Sequence, residues 1–206
     1  MKRLLSNFRN IPISKRVCSA LIMAVFVIGM SWNAKAVTYT WTGATSTAWA
    51  TTTNWSPNGN PGSAAGDIVL IGVTAFSGSQ PTLSVAPANA LASITLGTAT
   101  ASTLTISIAY TTGLLTIGAG STVTETGTIT ATFTGGVTNS GTYTASTGVH
   151  TFATNAQALT GTITIPSITV TAITLTNNGT LTCATALIGT GGLTNAGTGT
   201  LNIGGT

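Results

Sequence analysis

From Thr122 to Thr134 every even-numbered position is threonine, while the odd positions read Val123, Glu125, Gly127, Ile129, Ala131 and Phe133. A period of two sets hydroxyls on one face of an extended chain and mostly apolar side chains on the other. Thr and Gly are poor helix formers, whereas Thr, Val and Ile suit strands, so the pattern predicts an all-β fold. Two interruptions predict corners. An unbroken strand would aim Glu125 inward and leave a hole at Gly127, so a turn is expected at Glu125-Thr126-Gly127, with the carboxylate solvated there. Further on, the apolar positions change parity, from Ile168 and Val170 to Ile173 and Leu175. A bend or bulge at Thr171-Ala172 is needed if both sets are to reach one core.

The short strands recur around a common turn. Val123-Thr-Glu-Thr-Gly-Thr, Val137-Thr-Asn-Ser-Gly-Thr, Leu175-Thr-Asn-Asn-Gly-Thr and Leu193-Thr-Asn-Ala-Gly-Thr share the pattern apolar-Thr-Asn/Glu-x-Gly-Thr. Their starts are 14, 38 and 18 residues apart, which fits a degenerate unit of roughly 18 to 20 residues. Asn and Gly accept left-handed turn conformations, so Gly127, Asn139, Gly141, Asn177, Gly179, Asn195 and Gly197 are the expected turn residues. Units this small cannot close a core alone and are expected to stack. The first choice of architecture is a parallel β-helix or β-solenoid; an antiparallel β-sandwich or stacked hairpins is the alternative.

Composition changes along the chain. Residues 37–80 hold three of the four tryptophans, Trp41, Trp49 and Trp55, together with Tyr39 and Phe76 and a Pro/Gly/Asn loop at 56–62. This segment is expected to cap the first turn of the stack, and residues 81–206 form the Thr/Gly-rich repeat region. The repeat region stops inside what reads as a new unit, so the chain is expected to be incomplete at its C-terminus or to associate end to end.

All six Lys and Arg residues, Lys2, Arg3, Arg9, Lys15, Arg16 and Lys35, precede residue 36. A basic stretch, an apolar run over 17–30 and Ala34-Lys35-Ala36 predict a secretory signal peptide over residues 1–36, cleaved after Ala36 by signal peptidase. The run is short for a transmembrane helix, which needs about 20 apolar residues. Residues 37–206 then carry only Asp67 and Glu125 against no Lys or Arg, a formal charge of −2 with His150 neutral. Neutralising phosphates requires cations, so nucleic acid is excluded as a partner of residues 37–206. The expected location is secreted or cell-surface.

Catalysis has little material. Asp67, Glu125, His150, Cys183 and hydroxyls are the whole supply, with no Gly-x-Ser-x-Gly elbow and no clustered carboxylates for calcium. Asp67 reads as a loop residue opening the strand Ile-Val-Leu-Ile, His150 as a strand or corner histidine, and Cys183 as a small buried hydrophobe. No enzyme activity, metal or cofactor is expected. Two binding chemistries remain beside a structural role. Tyr39, Trp41, Trp49, Asn54 and Trp55 could form a carbohydrate site by stacking on sugar rings, with a packed cap as the competing reading. Thr-x-Thr arrays such as Thr122 to Thr134, Thr160-Gly-Thr162-Ile-Thr164 and Thr180-Leu-Thr182 could bind ice, although unequal repeat lengths argue against the strict register this needs.

With Tyr39-Thr-Trp41-Thr-Gly43, Asn54-Trp55-Ser56, Gly66-Asp67-Ile-Val-Leu-Ile and the Leu-Thr-Asn-x-Gly-Thr units in view, residues 37–206 resemble the N-terminal part of bacterial surface proteins with β-strand repeats, of the autotransporter-passenger or adhesin type. The resemblance implies export, display at the surface, and a structural or adhesive role toward glycans or matrix components. It carries no catalytic residues.

Overall fold

The structure is a computed structural model that describes residues 35–76 and 78–204. The basic and apolar parts of the expected export segment lie outside the described residues. Among the described residues no helix is long and apolar enough to cross a membrane, and one short 3-10 turn, Thr52–Asn54, is the only helical element. The chain winds into a parallel β-solenoid of about six turns, so the antiparallel alternatives do not apply.

The turns of the solenoid are built on three faces. The first stacks Thr38–Trp41, Ile68–Ile71, residues 93–96 and 114–117, Val137–Asn139, residues 157–161, Thr174–Asn177 and Gly192–Asn195. The second carries Thr82–Leu83, Thr103–Ile106, Thr122–Glu125 and Thr142–Thr144, followed by residues 162–165 and 180–183 and Thr200–Ile203. The third consists of residues 110–112, Ala131–Phe133, Val149–Ala153, and residues 167–171 and 186–189.

Successive turns are unequal in length. On the first face the offset is 30 residues from Thr38 to Ile68, 25 from Ile68 to Ser93, 21 from Ser93 to Leu114 and 22 from Leu115 to Val137. It settles at 18 from Gln157 to Leu175 and from Thr174 to Gly192. The unit read from the sequence therefore describes the later turns. The early turns extrude their extra residues at the corners, and the ladders stay in register.

Alternation then builds the core. Tyr39, Val69, Ile94, Leu115, Val137 and Leu159 lie directly above one another on the first face, and Phe133, Phe152 and Val170 do so on the third. All nine are buried, and each fully buried side chain of this kind contributes roughly 1.5–3 kcal/mol relative to exposure.

Corners follow local chemistry. The strand Gln157–Thr171 runs through all three faces, bending at Gly161 and again near Pro166, where its register with the next turn shifts. Gly161 has φ +89°, and a Cβ there would strike the carbonyl of Asn139 one turn back. The expected parity change is placed at Ala172, whose φ of +53° turns the chain so that Val170 and Leu175 both face the core.

The aromatic segment builds the start of the stack. Thr38–Trp41 and Ile68–Ile71 are already parallel neighbours in the first face, and Trp55–Ser56 pairs antiparallel on the other edge of Thr38–Trp41. That pairing occupies backbone groups an edge strand would otherwise leave open.

Candidate functional site

The five residues considered for a sugar site are enclosed. Trp41, Trp49 and Trp55 are each 1% exposed, and Tyr39 and Asn54 are buried with them. Trp55 is met edge-on by Trp41 and Trp49 at centroid distances of 4.8 Å, and by Tyr39 at 6.3 Å. The indole N–H groups donate inward, to the carbonyls of Ser79 (2.7 Å), Pro61 (3.3 Å) and Trp49 (2.7 Å) for Trp41, Trp49 and Trp55. Asn54 accepts from the amides of Thr45 and Ser46 and donates to the Ala48 carbonyl and Ser46 hydroxyl. The rings have no open face for a sugar, because a chain of small side chains gains most from its aromatics by burying them. The carbohydrate reading of this cluster is corrected accordingly.

The turn residues divide by mechanism. Gly127 and Gly197 have positive φ, as expected of turn glycines, whereas Gly141 and Gly179 do not; there a Cβ would run into carbonyls of the preceding turn. Asn139, Asn177 and Asn195 end strands on the first face and are not left-handed. Asn139 and Asn177 are buried and satisfy corner backbone: their Nδ2 groups donate to the carbonyls of Thr162 (2.7 Å) and Thr200 (2.8 Å), and their Oδ1 atoms accept from Gly141 and Gly179 (each 3.1 Å). Asn177 also donates to Oδ1 of Asn195 one turn on, at 2.9 Å. Asn195 itself is exposed.

The largest departure concerns Glu125. The chain does turn after it, with Gly127 at φ +77°, yet Glu125 is only 4% exposed and points into the core. It occupies the ladder position next to Ile106. Solvation at the corner is thus corrected to burial, and the cause is a set of partners supplied by the turns before and after it. Tyr110 and Tyr143 each donate a hydroxyl to Oε1 at 2.8 Å, and the Ser146 amide donates to Oε2 at 2.9 Å. His150 Nε2 lies 2.7 Å from Oε2, with both side chains fully enclosed.

The other His150 nitrogen, Nδ1, faces the Gly148 carbonyl at 3.0 Å. A carbonyl only accepts, so Nδ1 donates to it, and Nε2 faces the carboxylate across the shorter contact. Burial pushes the Glu125 carboxyl up, but the hydrogen bond and charge of His150, the Ser146 amide and the Tyr110 hydroxyl outweigh it and hold the carboxyl below its ordinary value. Burial, reinforced by the Glu125 charge, raises both tyrosine hydroxyls well above theirs. Phe133 stacks beside the imidazole at 6.3 Å and 17°, closing the cluster on the third face. The pair has the composition of an acid–base dyad, with both side chains enclosed in the core.

Asp67 and Cys183 are likewise internal. Asp67 accepts from the amides of Val37 (2.8 Å), Gly62 (2.9 Å) and Ala64 (3.2 Å), tying the loop before Ile68–Ile71 to the start of the first strand. Cys183 is buried, with Sγ 2.9 Å from the Ala186 carbonyl. Among the described residues no three His, Cys, Asp or Glu side chains are grouped as a metal site.

Outside, threonine dominates. Thr95, Thr116, Thr138 and Thr160 form a column on the first face, and Thr111, Thr132, Thr151 and Thr169 another on the third. The second face carries two columns side by side, Thr103-Thr122-Thr142 and Thr82-Thr105-Thr124-Thr144. Past the break between Thr144 and Thr162 the later turns repeat the arrangement, with Thr162-Thr180-Thr200 beside Thr164-Thr182-Asn202. The period-two pattern showed each Thr-x-Thr, but stacking between turns is a property of the ladders. No protein-family model, curated protein or solved structure matches this chain.

Proposed function

We propose that this chain is an exported structural or adhesive module of the cell surface or its surroundings, and that its neutral hydroxyl exterior is the surface that does the contacting. The observation that carries this reading is the division between inside and outside. Glu125, His150, Asp67 and Cys183 are buried and partnered, while the strands present threonine columns to solvent. A rigid stack with an uncharged repeating exterior suits many weak contacts to a polar matrix, glycans among them, better than one deep site. Export follows from the basic, apolar and Ala-x-Ala succession at the start of the sequence.

The test is expression of the full chain in a bacterial host with fractionation of the cells. The expected product begins at Val37, lies outside the cytoplasm, gives a β-rich circular dichroism spectrum, and makes coated beads adhere to glycan-bearing surfaces. Retention of an unprocessed chain in the cytoplasm would overturn the export reading, and inert beads the adhesive one.

A further inference from the structure

We propose that the second face binds ice. The inference rests on the reading that the hydroxyl exterior is the working surface, and names what one part of it contacts. Its basis is the pair of threonine columns, which hold twelve threonines on seven strands of this face, seven from Thr82 to Thr144 and, past the break, five from Thr162 to Thr200, with Asn202 closing the second column. None of the twelve is buried. Among the described residues one of their hydroxyls has a protein side-chain partner, Thr182, which accepts from Asn202 at 3.4 Å.

Parallel strands fix the dimensions of this net. Residues two apart on a strand are about 6.6 Å apart and neighbouring strands about 4.8 Å apart. The inter-strand spacing lies close to one oxygen repeat on the prism surface of hexagonal ice, and the spacing along the strand falls somewhat short of the other. Threonine suits the task because its β-branch restricts χ1, so stacked residues can present methyl and hydroxyl in the same orientation. The methyls leave the water above them few partners except other waters, and the hydroxyls join that water to the protein. No Lys, Arg, Asp or Glu stands in these columns to impose a competing hydration shell.

The fold keeps the columns in register although the repeats are unequal. Offsets down this face run from 23 residues, Thr82 to Thr105, to 18, Thr162 to Thr180, yet threonine meets threonine at every outward-facing ladder pair except Thr182↔Asn202. Loops absorb the variation. The other faces lack the second column: on the first, Ser93 is followed by Leu114, and on the third the single column ends at Ile188. The double column is specific to one face, which makes the inference testable by position.

The experiment measures inhibition of ice recrystallisation and thermal hysteresis, using folded protein recovered from cells expressing the full chain. It compares Thr124→Lys and Thr144→Lys on the second face with Thr132→Lys on the third, each confirmed as folded by its melting curve. The native protein should inhibit recrystallisation. Either second-face variant should need about tenfold more protein for the same effect, and the third-face variant should match the native protein. Thr144 is the more exposed position and serves if Thr124→Lys fails to fold. Absence of any effect on ice at the highest soluble concentration would overturn the inference, as would equal loss on both faces. Adhesion to microcrystalline glycan without an effect on ice would overturn it too, while leaving the adhesive reading intact. Failure of export would not alter the ice result, so the two readings fail separately.

Discussion

The backbone nitrogen of Val37 donates to Oδ1 of the buried Asp67 carboxylate across 2.8 Å, and Gly62 and Ala64 donate to its other oxygen. Cleavage after Ala36 would make that nitrogen an ammonium and the contact an ion pair. Hydrogen bonds to a charged group contribute about 1.5–3 kcal/mol each, so Asp67→Asn is expected to destabilise the chain by about 2–4 kcal/mol. The loss should be larger in the processed chain than in one whose processing is blocked by Ala36→Phe. Urea unfolding of both forms checks this, and equal losses would show that the new terminus adds nothing.

Removing one member of the Glu125–His150 pair strands the other in the core. His150→Leu is expected to cost about 3–5 kcal/mol, as for other broken buried pairs. Replacing Glu125 and His150 by Leu, with Tyr110 and Tyr143 by Phe, removes the orphaned groups as well and should recover most of that loss. Thermal melts of the single and quadruple variants decide the matter.

The same cluster sets a pH window. Glu125 has a folded value below its unfolded one; its contribution is complete above the ordinary carboxylate range and is lost as pH falls through the folded value. Tyr110 and Tyr143 have folded values above the ordinary tyrosine value of about 10; they stabilise fully below that value and less as pH rises beyond it. The carboxylate contribution is therefore expected to be lost at the acid end and the tyrosine contribution at the alkaline end. Glu125→Gln should flatten the acid limb, and the double Tyr→Phe variant the alkaline limb.

Asn177→Ala should cost about 3 kcal/mol, since it leaves the Thr200 carbonyl and the Gly179 amide without their partner inside the corner. Asn195→Ala, at an exposed position, should cost about 1 kcal/mol or less. Denaturant midpoints of the two variants give the comparison.

Trp55→Ala takes out the ring that Tyr39, Trp41 and Trp49 all meet. A loss of about 3–5 kcal/mol is expected for a buried tryptophan, with early proteolysis of residues 37–71 as the second readout.

Much of this architecture is legible because alternation is a local signal. Parity along 122–134 and the slip at 171–172 can be counted from residues alone, and they correctly place an apolar face, a turn and a corner. Glu125 shows where local reading fails. Its parity points inward, yet a lone buried carboxylate is costly, so the local pattern favours a solvated corner. Tyr110, Tyr143, Ser146 and His150 make burial tolerable, and they lie 15 to 25 residues away in sequence. Nothing in the spacing of His150 announces Glu125; only the pitch of each turn brings them together. The threonine columns were hidden for a related reason, since the repeat lengths differ while the ladder positions do not. The tryptophans were ambiguous because the same ring serves a sugar site or a cap, and exposure alone separates the two.

A stack of Thr-x-Thr rungs has almost no internal landmarks. Slid by one whole turn, most apolar side chains would still meet apolar side chains and most threonines would meet threonines. Glu125 breaks that equivalence, since its partners come from the turn before it, through Tyr110, and the turn after it, through Tyr143, Ser146 and His150. A slipped stack would leave a bare carboxylate among hydrocarbon, at several kcal/mol. The cluster works as an index mark on an otherwise uniform scale, telling each rung which neighbours are its own.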